Sequence, residues 1–157
     1  MFFRVGNFDL SYQGLPSVDI FKLKTKLLRQ MCPDLEYNID SNYKHEKIKI
    51  LFHACMLNRY HSVYKDRHQV IKGLSEDDRF DVYFSTFEKL NNIVKYSYSN
   101  AKHILLPKNL DHIKTVVSEY KFDIIVYCEI GMNNLSYYMS FLKLAKIQCY
   151  TWGHSDT

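Results

Sequence analysis

The stretch Phe122-Asp123-Ile124-Ile125-Val126-Tyr127 decides the fold. Apart from Asp123 it is wholly apolar or aromatic, with β-branched residues at its centre. A run that short and continuous reads as a strand covered on both faces, the kind found in parallel sheets. Ahead of it, 109–120 places Ile113, Val116 and Val117 on one face of a helix that opens at Asn109 or Asp111. Behind it, 128–134 reads as a loop. A helix feeding a buried strand is half of a βαβ unit.

Working outward, the same alternation recurs. Strands are predicted over 48–53, 80–85, 103–106 and 147–152, with helices over 64–74, 87–96 and 134–145 between them. All five strands can join one parallel sheet through crossover connections, so the fold class is α/β. Ligands of such sheets bind beyond the carboxyl ends of the strands, near the point where strand order reverses. Function is therefore expected in the loops 56–63, 128–134 and 153–157. Before this pattern, Ser17 caps a helix whose Ile20, Leu23, Leu27 and Met31 recur at three-and-four spacing, and Pro33 ends it. The polar stretch 38–47 reads as a linker. The expected division is a leading helix and linker over 1–46 and one α/β domain over 47–157.

Composition narrows the class. The chain has 157 residues, 46% of them hydrophobic and 15% aromatic, enough for one substantial core and contrary to disorder. Its net charge of +4 is spread among acids, with no block of like charge to serve as a nucleic-acid or membrane arm. The start, Met1-Phe2-Phe3-Arg4-Val5-Gly6-Asn7, lacks the basic and apolar regions of a signal peptide, and no stretch approaches a membrane span of about 18 apolar residues. An intracellular, cytoplasmic protein is expected. Cys32, Cys55, Cys128 and Cys149 form no C-x-x-C pair, which disfavours zinc and disulfide frameworks. The last three sit in or beside predicted strands, where reduced, buried thiols are ordinary.

Several chemistries lose their signature. No Gly-x-Gly-x-x-Gly follows a strand, and neither a P-loop, a Gly-x-Ser-x-Gly elbow nor a His-Glu-x-x-His helix occurs. No cofactor is expected. No Asp-x-Asp pattern is present, and Asp77-Asp78 reads as a surface turn, so no metal-dependent sugar-nucleotide site is expected either.

Two stretches carry a positive signal. The first runs Ile50-Leu51-Phe52-His53-Ala54-Cys55-Met56-Leu57-Asn58-Arg59-Tyr60-His61-Ser62-Val63. The second is Phe122 through Met132, continued by Leu144-Ala145-Lys146-Ile147-Gln148-Cys149-Tyr150-Thr151-Trp152-Gly153-His154. Together they resemble the catalytic region of the O-linked N-acetylglucosamine transferase and SPINDLY family, which are inverting glycosyltransferases with two Rossmann-like domains, the GT-B architecture. The resemblance spans Lys47 to Thr157. It departs at Lys146, where the family usually has proline, and at His53-Ala54-Cys55, where smaller residues and serine are commoner.

This resemblance implies a Rossmann-like first domain of such an enzyme, with the donor-nucleotide domain expected beyond Thr157. It also implies a sugar-nucleotide donor bound mainly by that second domain, a protein or peptide acceptor, metal-independent inversion, and no turnover by this chain alone. His61 matches the family's loop histidine beside the sugar. Transfer to a serine or threonine hydroxyl needs a group that accepts or relays a proton or holds the acceptor, and imidazole suits neutral conditions; a plain exposed loop histidine is the alternative. Gly153 and His154 match the loop that approaches the sugar, where glycine permits close backbone contact. Glu129 reads as a ligand for a sugar hydroxyl or the acceptor, or else as a helix-capping or surface acid. His103 matches a second histidine near the sugar. Arg59, Lys65 and Arg67 form a basic patch around the first loop, with Lys65 and Arg67 read as a solvated helix face. The rival reading is a non-enzymatic Rossmann-like module that binds a partner chain through an exposed apolar face near Tyr150 and Trp152.

Overall fold

In a computed structural model of the chain, residues 17–55, 57–90, 100–130 and 132–151 are described. Five strands form one parallel sheet: β1 (Ile48–His53), β2 (Phe80–Thr86), β3 (Lys102–Leu105), β4 (Phe122–Tyr127) and β5 (Ala145–Tyr150). Their spatial order is β3-β2-β1-β4-β5, so direction along the sheet reverses between β1 and β4. That is the strand order of a Rossmann-like, doubly wound fold.

Helices cover both faces. On one side lies α2 (Ser62–Ser75), whose Val63, Tyr64 and Ile71 are buried against Ile50, Phe52, Val82, Phe84 and Val126. On the other side α3 (Leu110–Tyr120) buries Ile113 and Val117, and α4 (Asn134–Met139) buries Met139, against Leu51, Tyr83, Ile104 and Ile125. Fully burying such a side chain stabilises the fold by about 1.5–3 kcal/mol before conformational entropy is counted. Asn109 is the cap of α3: its side chain accepts the His112 backbone N–H. The helix stops at Lys121, which turns into the left-handed region with φ 54° and hands the chain directly to β4.

The leading helix α1 (Ser17–Met31) buries a different stripe from the one its spacing predicts. Leu28 is the buried residue, whereas Leu23 and Met31 are 57% and 63% exposed. The reason is α4 and the turn after it: Lys24 lies over the Tyr137 ring, Thr25 meets the Tyr137 hydroxyl, and Arg29 lies over Phe141, so contact with those rings sets which side of α1 turns inward. After a short 3₁₀ turn (Pro33–Glu36), the polar stretch is stitched to the amino-terminal edge of the sheet. Ile39 donates its N–H to the Lys143 carbonyl, His45 meets the Lys121 carbonyl, and Lys146, paired with Asp123 at 2.7 Å, donates to the Tyr43 carbonyl.

One predicted helix is corrected, and a second is not helical over the part that is described. The one expected over 134–145 ends at Met139, because Lys143 N–H is taken by the Tyr37 carbonyl, Leu144 N–H by the Gln148 side chain, and Ala145 already pairs with Phe122. Strand β5 accordingly begins two residues before the predicted start. Of the helix expected over 87–96, residues 87–90 are not helical and 91–99 lie outside the described residues. Among the described residues, no helix is long and apolar enough to cross a membrane.

Candidate functional site

The carboxyl ends of β1 and β4 flank the reversal of strand order, where neighbouring crossovers leave on opposite faces, the place at which sheets of this kind form a ligand crevice. Both strands keep pairing just past their ends: Cys128 donates its N–H to the His53 carbonyl, and Ala54 to the Ser85 carbonyl. This brings the next residues together across the crevice. The backbone N–H of Cys55 donates to Glu129 Oε1 at 2.6 Å. Glu129 is only 1% exposed, and its second oxygen, Oε2, has no hydrogen-bond partner.

Glu129 is therefore neither the helix-capping nor the surface acid that the sequence allowed. The capping role belongs to Asn133, whose side chain accepts the Leu135 and Ser136 N–H groups at the start of α4. A carboxylate shut from water with one free oxygen is unusual, since buried polar atoms are nearly always paired. Its neighbour responds to it: burial, with the Glu129 carboxylate next in importance, holds the Cys55 thiol far above its ordinary range. Cys55 is thus a protonated donor and no nucleophile at neutral pH.

Beneath the crevice sits a polar centre that the sequence did not signal. His53 is fully buried, with Nδ1 2.9 Å from Ser85 Oγ and Nε2 3.0 Å from Ser136 Oγ. Phe87 and Tyr127 pack edge-on against the ring. Burial pulls its pKa down to about 3, so the ring is neutral and ties β1, β2 and α4 together. It is shut off from any ligand and serves to hold the walls in place.

His61 stands at the start of α2, where its Nδ1 accepts the Val63 N–H at 3.3 Å. It is a helix cap as well as a loop histidine, half-exposed, next to the 82% exposed Tyr60. The cap fixes the tautomer of the neutral ring. With Nδ1 accepting, the proton of the neutral ring is on Nε2, which is then a donor rather than a base.

His103 lies on β3, two strands from β1, which is about 10 Å along the sheet. Its Nε2 is 2.8 Å from Thr86 Oγ1, and that hydroxyl gives its own proton to the Glu88 carbonyl, so His103 donates here too. The crevice joins Glu129 to the backbone of Cys55, while His103 belongs to the β2–β3 end. Gly153 and His154 lie outside the described residues.

Arg67 of α2, which reaches the end of β5, carries more than the sequence suggested. Lys65 is exposed as expected, but Arg67 is not a solvated residue. It is half-buried and donates Nη2 to the Thr151 carbonyl at 3.1 Å, and its charge reaches the buried Cys128 thiol. Of the three cysteines expected to be buried, Cys128 is, with burial pushing its thiol up to about 12; Cys55 is half-buried. Cys149 is exposed because β5 forms an edge of the described sheet. All four cysteines are free. Among the described residues, no three His, Cys, Asp or Glu side chains group as metal ligands would. A recess of about 400 Å³ is lined by Leu28, Leu35, Leu110, Tyr138 and Leu142. It belongs to the layer of helices, away from the strand ends, with Cys32, Asp34, Asp111 and Lys114 also among its lining residues.

No protein-family model matches the chain, and no curated protein matches it. Among solved structures it is similar to a mutant O-GlcNAc transferase from Thermobaculum terrenum, with a TM-score of 0.55 and 16% sequence identity over 73% of this chain. The aligned part is 22% of that protein, so the chain spans well under half its length. At such identity the likeness is one of architecture: this is a Rossmann-like α/β sheet with a distant fold resemblance to an O-GlcNAc transferase.

Proposed function

We propose that the chain supplies the sugar-facing wall of an inverting, metal-independent O-glycosyltransferase, in which a sugar nucleotide such as UDP-N-acetylglucosamine gives its sugar to a serine or threonine hydroxyl. The observation that carries this reading is the buried Glu129 carboxylate, held by Cys55 at the reversal of strand order with one oxygen unpaired. A hydroxyl of a sugar or acceptor is the kind of donor that oxygen lacks. The fold resemblance to a glycosyltransferase supports the class of ligand.

In this proposal Glu129 accepts a ligand hydroxyl, and His61 donates Nε2–H to the acceptor or sugar. Gly153 and His154 approach the sugar, and His103 lies further along the same edge. One sheet makes one wall. Stabilising a departing diphosphate needs donors placed around it and water excluded, so a second wall from another domain or chain completes the site. The chain by itself therefore lacks turnover.

Calorimetric titration with UDP-N-acetylglucosamine and with N-acetylglucosamine tests the reading. Weak saturable binding of both, abolished in Glu129→Ala, is expected; binding of neither contradicts it. Transfer to a serine and threonine peptide library by the chain alone contradicts the one-wall clause. A second reading, a non-enzymatic module that docks to a partner chain, is favoured by β5, where Ile147 is 58% and Tyr150 47% exposed.

A further inference from the structure

Arg67 and Thr151 present an imbalance that the crevice chemistry does not use. The Arg67 guanidinium is half-buried, yet no carboxylate pairs with it among the described residues, and its one hydrogen bond is to the Thr151 carbonyl. Its Nε–H is buried with no partner, and so is the hydroxyl of Thr151, the residue it already touches. Two unpaired donors and an uncompensated positive charge thus sit together beside the carboxyl end of β5. Taking a charge partly out of water without a counter-charge is costly, and buried donors without acceptors add to that cost. Both deficits are met by the same chemical group, an oxyanion with several acceptor oxygens. Guanidinium binds such groups through a planar fork of N–H donors, and a hydroxyl beside it supplies a further one.

We infer that Arg67 and Thr151 form a binding subsite for a phosphoryl-type oxyanion at the carboxyl end of β5. The anion approaches the part of Arg67 that remains exposed and takes up the guanidinium there; the Arg67 Nε–H and the Thr151 hydroxyl, closed to water in the free chain, become its further donors as the ligand displaces the packing over them. Lys65 and Arg59, both exposed on the same helix or the loop before it, add long-range attraction without direct contact. Ligands of open α/β sheets bind outside the carboxyl ends of the strands, the side of the sheet on which Thr151 lies. The subsite stands on Arg67 and Thr151 alone, independent of whether Glu129 holds a sugar.

The test is an NMR titration of the ¹⁵N-labelled full chain, following the arginine Nε–H signals while inorganic phosphate or pyrophosphate is added at constant ionic strength. The Arg67 signal is identified by its disappearance in Arg67→Lys. The expected result is a saturable shift of that signal with phosphate or pyrophosphate and none with chloride. Affinity, read in the variants from the backbone amide of residue 151, should fall about tenfold in Arg67→Lys and several-fold in Thr151→Val. Thr151→Val keeps shape and removes only the hydroxyl, so a well-dispersed spectrum with weakened binding separates lost recognition from lost folding. No shift with phosphate, an equal shift with chloride, or an affinity unchanged in both variants overturns the inference. Neutral N-acetylglucosamine, added separately, is expected to leave the Arg67 signal in place while reporting on the sugar reading elsewhere.

Discussion

Glu129 accepts the Cys55 N–H at 2.6 Å, joining the ends of β1 and β4 across the reversal of strand order. One oxygen is spent on the fold, and the other is buried without a partner; it is the one the proposal gives to a ligand hydroxyl. Glu129→Gln keeps an acceptor for Cys55 and is expected to cost well under 1 kcal/mol of stability. Glu129→Ala orphans a backbone N–H and is expected to cost about 2 kcal/mol. Urea denaturation of the two variants measures the difference, and equal losses would argue against the bridge.

His61 has two separable roles. Asn is a strong helix cap, so His61→Asn is expected to keep stability within a few tenths of a kcal/mol, whereas His61→Ala loses about 1 kcal/mol. Both variants remove the Nε2 donor and should weaken ligand binding alike. The tautomer itself is checked by ¹⁵N chemical shifts of the ring, with the proton expected on Nε2; a proton on Nδ1 would restore the general-base reading.

The buried His53 makes stability depend on pH. Its folded pKa of about 3 lies below the ordinary 6.5, so between those values the unfolded chain binds a proton that the folded chain refuses. Its contribution is complete above about pH 6.5 and declines as pH falls towards 3, with a limiting slope of about 1.4 kcal/mol per pH unit. Denaturant midpoints between pH 7 and pH 5 should fall, and the fall should be shallower in His53→Gln. An identical slope in that variant would assign the effect to other groups.

Thiol reactivity should follow position rather than number. Cys32 and Cys149 are exposed and are expected to react with a disulfide reagent in the native state. Cys128, raised to about 12 mainly by burial, and Cys55, kept protonated by burial and Glu129, should react only on unfolding. Replacing Glu129 by Gln should quicken Cys55 specifically, as peptide mapping of the labelled sites would show.

The parts of the fold legible in sequence were those that a few neighbouring residues determine. Phe122–Tyr127 is a strand as predicted, because a continuous apolar run has one economical place, the middle of a covered sheet. Asn109 resolves the open choice of helix start because its side chain meets the His112 N–H within one turn. The errors arise where the partner is remote in sequence. Gln148 and Tyr37 stop the helix that local periodicity extended to Ala145, and Tyr137 sets the inward side of α1. Glu129 stayed open between a ligand-binding and a capping or surface acid because its partner, Cys55, follows another strand, and the partners of His53, Ser85 and Ser136, are invisible to a local reading. Arg67 was read as solvated for want of any sign that Thr151 sits beneath it.

The claim that the β1–β4 crevice receives the ligand is tested most directly by amide NMR of the chain as N-acetylglucosamine and UDP-N-acetylglucosamine are added. The Cys55 amide, bound to the Glu129 carboxylate, and the Ile130 amide beside it are predicted to shift together and saturably, and to stay still in Glu129→Ala. Shifts confined to the recess around Leu28 and Leu110, or no saturable shift at Cys55, would contradict the account.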